Sequence, residues 1–275
     1  MKKVADRFAC PGKGSVLEVL DETVGGLAKL CPLSGREGLR RGVFITGTDT
    51  GVGKTWIGTA LVRLLSRSGV AVRPRKPVES GCPDGNDGLI PQDGADYHAA
   101  TGGGEPLGQI SRFLLRAALS PERAAALQDV EIRMEDVVAA CLDGVQENDF
   151  LLVEGAGGFC SPLTADGLNA DLGMVLGLPV LLVTADRLGA IHQTLATAEA
   201  ITRRGLTLAG VVLNEVTPVQ DSRMDNAADL SRWLGQEIIS IRHCPGRGIS
   251  TLNRLSTGLS GLAGRLVEGS NMKDV

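Results

Sequence analysis

A short apolar run, GVFIT at residues 42–46, breaks at once into GTDTGVGKT at 47–55. Behind that loop, Ile57, Leu61, Leu64 and Leu65 recur at the spacing of one helix face. Gly69 ends the stripe, and VAVRPRKPV at 70–78 follows as a second extended run. Residues 42–78 therefore read as one β-loop-α-β unit. A helix between two strands is the crossover that parallel pairing requires. This unit alone directs the chain toward an α/β sheet.

The loop also carries chemistry. The first N–H groups of a helix have no partner within it, and the helix dipole adds partial positive charge there. Anions bind readily at such a point. Gly51 and Gly53 let the main chain curl around a phosphate. Lys54 is placed to reach the β- and γ-phosphates, and the Thr55 hydroxyl to ligate Mg²⁺. The pattern departs from the strict G-x-x-x-x-G-K-[ST] form. Its first position is Thr48, and the nearest glycine, Gly47, stands one residue early. Main-chain N–H groups do most of the holding, so a triphosphate is still expected here.

The rhythm recurs. DFLLVEGAGG (149–158) is an apolar run ending in glycines, LPVLLVTAD (178–186) leads into a helix over 190–204, and LTLAGVVLNEV (206–216) into another over 221–234. QEIISI (236–241) reads as a last strand. Nearly continuous apolar strands are those covered by helices on both faces. The expected fold is α/β: a doubly wound, mostly parallel sheet of the P-loop NTPase-like kind. Residues 82–149 are turn-rich, with helices expected over 93–101, 121–128 and 134–145. Leu252, Leu255, Leu259, Leu262 and Leu266 predict a terminal helix packed on its own domain. Residues 1–41 differ in character and read as a mobile extension or a short accessory helix, ahead of a single domain over 42–275.

Composition narrows the function classes. A net charge of -4 argues against a general nucleic-acid binder. No apolar run approaches the roughly 18 residues of a membrane span. The N-terminus lacks the apolar core of a secretory signal. The six cysteines form no C-x-x-C pair and suggest reduced thiols in a cytoplasmic protein rather than a zinc site.

Three further residues are candidates on position alone. Glu154 ends an apolar strand, at the sheet edge where ligands bind in such folds, and offers a hard oxygen for Mg²⁺. Asp96, in QDGADYHAA, either joins it or merely complements a helix dipole. Lys76, in KPVESG, either stabilises charge on a transferring phosphoryl group or is a solvated edge lysine.

GTDTGVGKT, KPVESG, VEGAGGFCSPL, LPVLLVTADRLGAIHQTLATAEAI and LTLAGVVLNEV occur in this order. Together they resemble the dethiobiotin synthetases, a P-loop family akin to the Mrp/MinD group, over residues 43–216. The resemblance implies that 7,8-diaminopelargonate, CO₂ and ATP give dethiobiotin, ADP and phosphate. One amine takes up CO₂ as a carbamate, the carbamate oxygen attacks the γ-phosphate, and the second amine closes the ureido ring. It implies phosphate-loop roles for Thr50, Gly51, Val52, Gly53, Lys54 and Thr55, with Lys54 and Lys76 around the transferring phosphate. Thr55, Asp96 and Glu154 correspond to magnesium ligands, and Glu154, Gly155, Ala156 and Gly157 to a nucleotide-contacting stretch. Asn214 corresponds to the adenine-reading asparagine and Ser80 to a substrate contact. The stretch from Arg187 through Leu188, Gly189, Ala190, Ile191 and His192 corresponds to a helix start receiving the substrate carboxylate from the partner of a homodimer.

Gly51 stands where members commonly have Glu, and SIRHCPGRG (240–248) has no clear counterpart of the turn that closes over adenine. A partitioning-type regulatory ATPase usually has a lysine where Asp49 stands. A cobyrinate-type amide synthetase needs a glutaminase domain, for which the residues after Val216 are too few. A catalytically weakened homologue is the remaining alternative.

Overall fold

The computed structural model of the protein describes residues 41–217, 221, 223–244, 246 and 249–269. The extension expected over 1–41 lies, apart from Arg41, outside the described residues.

Strand β1 (Gly42–Gly47) enters the phosphate loop, and helix α1 (Lys54–Arg67) leaves it. Next come β2 (Val72–Arg75) and β3 (Val78–Ser80), then two residue pairs, β4 (Asp84–Gly85) and β5 (Gly88–Leu89). Helices α2 (Gln92–Ala100) and α3 (Leu107–Ile110), strand β6 (Phe113–Leu115), and helices α4 (Pro121–Ala126) and α5 (Met134–Leu142) fill the middle region. Strand β7 (Phe150–Glu154), the small hairpin β8 (Pro162–Thr164) and β9 (Gly167–Leu168), helix α6 (Asn169–Leu176), strand β10 (Val180–Ala185) and helix α7 (Ala190–Arg203) follow. The chain continues through β11 (Leu208–Asn214), α8 (Asn226–Leu234), β12 (Ile238–Ile241), α9 (Ile249–Gly258) and α10 (Ser260–Gly269).

Six strands pair in the order β12-β11-β10-β1-β7-β2, all parallel. Every residue of β1, β7 and β10 is buried, because helices cover both faces. Val43, Ile45, Leu152 and Leu181 pack with Ile57, Leu61 and Leu65 of α1. Leu255, Leu259, Leu262 and Leu266 join the same cluster, so the terminal leucines do pack on their own domain. They do so from two helices rather than one. The break falls at Leu259, beside Gly258, where helix propensity is weakest.

The run 70–78 is not one strand. β2 ends at Arg75, and after Lys76 and Pro77 the chain leaves the main sheet; β3 instead pairs with β6. Pro74 is accommodated because β2 is an edge strand, and Pro77 has no N–H to extend the ladder. Helix α6 gave no sequence signal strong enough to be read in advance.

Parallel pairing sends the carboxyl ends of all six main strands to one edge. With β1 in the interior of the sheet, the phosphate loop lies between the ends of β7 and β10. Register pairs Ile45 with Glu154, and that alignment brings the β7 carboxylate beside the loop.

Candidate active site

The loop between β1 and α1 takes its shape from two left-handed glycines, Gly51 (φ 75°) and Gly53 (φ 96°). A side chain at Gly53 is excluded twice: by that φ, and because its Cβ would stand 2.3 Å from Nδ2 of Asn214. Asn214 Nδ2 donates to the Val52 carbonyl (2.9 Å), so the end of β11 braces the loop. At the loop tip Asp49 Oδ1 accepts from the Thr50 N–H (2.7 Å), and Asp49 Oδ2 lies 3.5 Å from the Arg187 guanidinium. Lys54 is buried, and its Nζ donates back to the Asp49 carbonyl (3.0 Å). Burial, then the charge of Lys76, lowers the Lys54 ammonium from 10.5 to about 8.

Glu154 is the centre of the site and is buried at the end of β7. Its Oε1 accepts from the Thr55 hydroxyl (3.0 Å) and from Lys76 Nζ (2.6 Å). Its Oε2 accepts from the Tyr97 hydroxyl (2.7 Å). Lys76 Nζ also pairs with Asp93 Oδ2 (3.1 Å). Burial works against the Lys76 charge, but Glu154 and Asp93 outweigh it and hold this ammonium above the ordinary lysine range. Burial likewise disfavours the Asp93 carboxylate. Lys76, with a hydrogen bond from Thr55, nonetheless keeps its pKa below the usual value.

The acid beside Thr55 and Lys76 is thus Asp93, not the Asp96 expected from sequence. Both lie on α2, three residues or roughly 4.5 Å of helix rise apart. The position of the helix start decides between them. Glu79 of β3 accepts from the N–H groups of Asp93 (2.8 Å) and Gly94 (3.1 Å) and from the Ser111 hydroxyl (3.3 Å). This carboxylate pins the first turn of α2 at the cleft. Gly94 is required there, since its Cβ would stand 2.3 Å from Ser111 Oγ. Asp96, one turn on, does not line the cleft, although its charge is felt by Tyr97. Burial, with the charge of Glu154, raises the Tyr97 phenol well above its ordinary value, so it remains a donor.

The remaining expected residues divide. Thr50, Gly51, Gly53, Lys54, Thr55, Lys76, Ser80, Glu154, Ala156 and Gly157 line one cleft of about 690 Å³, together with Asp93, Glu79 and Ser120. Gly155 and Ala156 are held by Asn169. The Asn169 side chain accepts from the Ala156 N–H (2.9 Å) and donates to the Ala156 carbonyl (2.6 Å). Gly155 leaves room for it, as a Cβ would stand 2.7 Å from Asn169 Oδ1. Neither Asn169 nor Glu79 stands out in sequence, because their roles rest on long-range hydrogen bonds. Leu188, Gly189, Ala190, Ile191 and His192 do not line this cleft. Gly189, at φ 91°, opens α7, and Leu188 before it is 91% exposed.

Among the described residues no group of three or more His, Cys, Asp or Glu side chains is placed to hold a metal, and no helix is long and apolar enough to cross a membrane. The hydroxyl and two carboxylates around Thr55 are nonetheless all hard oxygen donors, the kind that suits Mg²⁺ alongside phosphate oxygens.

A family described as an AAA domain matches residues 41–241. The chain is 41% identical over 202 residues to the ATP-dependent dethiobiotin synthetase BioD of Anaeromyxobacter dehalogenans strain 2CP-C, covering 73% of this chain and 89% of that protein. It is 40% identical to the protein of the same name from Anaeromyxobacter sp. strain Fw109-5, covering 72% and 87%. Among solved structures, a ParA family ATPase from Chlorobium tepidum TLS is similar at a TM-score of 0.44 and 14% identity, covering 84% of this chain and 99% of that one.

Proposed function

The chain belongs to the ATP-dependent dethiobiotin synthetases, and from that premise we propose that it is an ATP-dependent cyclo-ligase that closes the ureido ring of dethiobiotin. 7,8-Diaminopelargonate takes up CO₂ on one amine, the carbamate oxygen attacks the γ-phosphate of ATP, and the second amine expels phosphate. Phosphorylation is needed because a carbamate oxygen is otherwise a poor leaving group. One observation carries this reading: Lys76 is held between two carboxylates, at the mouth of the phosphate loop.

The residues divide the work by charge and position. The loop N–H groups from Gly51 to Thr55 hold the triphosphate, with Lys54 against its outer phosphates. Lys76 keeps its positive charge at neutral pH and meets both the carbamate and the phosphoryl group in transfer, where preorganised charge counts most. Thr55, Asp93 and Glu154 hold magnesium, which when bound neutralises charge on the phosphate oxygens. Ser80, which lines the same cleft, contacts the substrate. Asn214 is taken as the adenine reader, with its amide already oriented by Val52.

A homodimer completes the site. The support is the form of residues 188–192: a glycine-opened helix start, outside the lining of the chain's own cleft, beside an exposed leucine. The Ala190 N–H is taken by the Arg187 carbonyl (3.0 Å), and the N–H groups that follow it in the first turn of a helix suit the carboxylate of a substrate bound in the partner. The partitioning-ATPase reading is disfavoured further by Asp49, which pairs with Arg187 of its own chain. The protein is taken as cytoplasmic, where ATP is available.

Two results test the proposal. Purified protein is expected to release phosphate from ATP only when both diaminopelargonate and bicarbonate are present; release without the diamine rejects the synthetase reading. Asp93→Asn is expected to raise the magnesium concentration at half-maximal rate by about 10–100-fold, the scale of lost metal-site groups. Asp96→Asn should shift it less than about twofold, as typical of changes away from such a site. The reverse ranking would return the ligand role to Asp96.

A further inference from the structure

Tyr97 is the one tyrosine in the chain, and it is fully buried. It lies on α2, four residues after Asp93, so the two side chains project from the same helix face. Its hydroxyl reaches Glu154 Oε2 at 2.7 Å, while Thr55 and Lys76 both use Oε1. Space for that hydroxyl exists only because α1 carries glycine at 58. A Cβ on Gly58 would stand 1.9 Å from the Tyr97 oxygen and 2.9 Å from its Cζ.

A phenylalanine would bury the same ring without needing a partner for a buried hydroxyl. The gap at Gly58 and the carboxylate beyond it together accommodate one oxygen atom. We propose that Tyr97 is a positioning residue for the magnesium–phosphate site: its hydroxyl holds Oε2 of Glu154 and so turns Oε1 toward Thr55, Lys76 and the metal. This rests on the reading of Glu154 as a magnesium-site carboxylate. On that reading α2 sets both acids, Asp93 directly and Glu154 through Tyr97.

The test needs no turnover. Mn²⁺ binding to the ADP-loaded protein, followed by electron paramagnetic resonance, is expected to weaken about tenfold in Tyr97→Phe, as when a metal ligand loses its outer hydrogen bond. Metal-free ADP binding, measured in EDTA, is expected to stay within about twofold, since the loop N–H groups are untouched. Equal Mn²⁺ affinity in the two proteins would overturn the proposal. A second measurement covers the case in which the variant does not fold. Growth on 3-fluorotyrosine labels only position 97, and its single fluorine resonance is expected to shift when Mg²⁺ is added to the ADP complex. An unmoved resonance would overturn the proposal equally. Failure of the diamine-dependent phosphate assay would reject the synthetase reading without touching either result.

The glycine adds a packing test. Gly58→Ala is expected to lower the melting temperature more in the wild-type background than in Tyr97→Phe, where the clashing oxygen is gone. Equal losses in both backgrounds would show that the gap does not serve the hydroxyl.

Discussion

Lys76→Met is expected to lower kcat by about 10²–10³-fold, the cost of removing a preorganised charge from a transition state. It is also expected to destabilise the nucleotide-free protein by roughly 3–5 kcal/mol, because it leaves the buried Glu154, and the half-buried Asp93 beside it, without their cation. Steady-state phosphate release measures the first, and urea unfolding at neutral pH the second. The pH dependence follows from the direction of each shift. Lys76 is held above its ordinary 10.5, so its contribution is complete below that value and fades as pH rises through the folded value. Asp93 is held below its ordinary 3.8, so its contribution is present above 3.8 and is lost as acid protonates it. The stability gap between wild type and variant should therefore be level from about pH 5 to 9 and narrow on both sides. A variant as stable as wild type would mean that the three groups are not coupled as their distances indicate.

Lys54→Met is expected to act in the opposite direction on stability while being as damaging to activity. Loss of a charge against the outer phosphates should lower kcat/KM by about 10³-fold. Yet burial beside Lys76 makes this ammonium unfavourable before nucleotide arrives. Lowering its pKa from 10.5 to about 8 costs the folded protein about 3 kcal/mol at neutral pH. The hydrogen bond to the Asp49 carbonyl returns about 1 kcal/mol of this. The nucleotide-free variant is thus expected to be more stable than wild type by roughly 2 kcal/mol. Because the folded pKa is depressed, wild type bears the full cost below about pH 8. It recovers stability as pH rises toward 10.5, so the variant's advantage should shrink across that window. Saturating Mg·ATP should reverse the order by stabilising wild type alone. Thermal melts with and without nucleotide, at pH 7 and pH 10, check all three statements. A destabilised nucleotide-free variant would show that the loop lysine is not strained in the empty site.

The contrast between the two lysines was not visible in sequence. Both are single lysines in glycine- or proline-flanked motifs near strand ends. One finds two carboxylates and the other finds a second cation, and long-range contacts determine which.

Other parts were legible. The apolar runs at 42–46, 150–153 and 178–185 became β1, β7 and β10 because a strand covered on both faces has no need to alternate. Lys54, Thr55 and Glu154, expected from the chain alone, line one cleft in the structure. The loop's chemistry is set by residues adjacent in sequence, and Glu154 ends a strand whose direction was already fixed. The limits fell where spacing along one helix carries no information about what faces it. QDGADYHAA pointed to Asp96, and that Asp93 is the acid meeting Lys76 rests on Glu79 holding the helix start from a strand that leaves the main sheet after Pro77. Tyr97 carried no signal in the sequence, and Gly58 opens the passage through which it reaches Glu154.

The chain by itself therefore determined the strand-loop-helix entry, the parallel α/β sheet and the glycine loop between them, since these depend on local periodicity and on backbone groups that every helix start exposes. Tertiary structure decided which acid meets the lysine, which side chain turns Glu154 and what charge each lysine keeps. Those outcomes depend on distances between segments roughly 20 to 100 residues apart in the chain, and only the packing of α2 against β7 and α1 sets them.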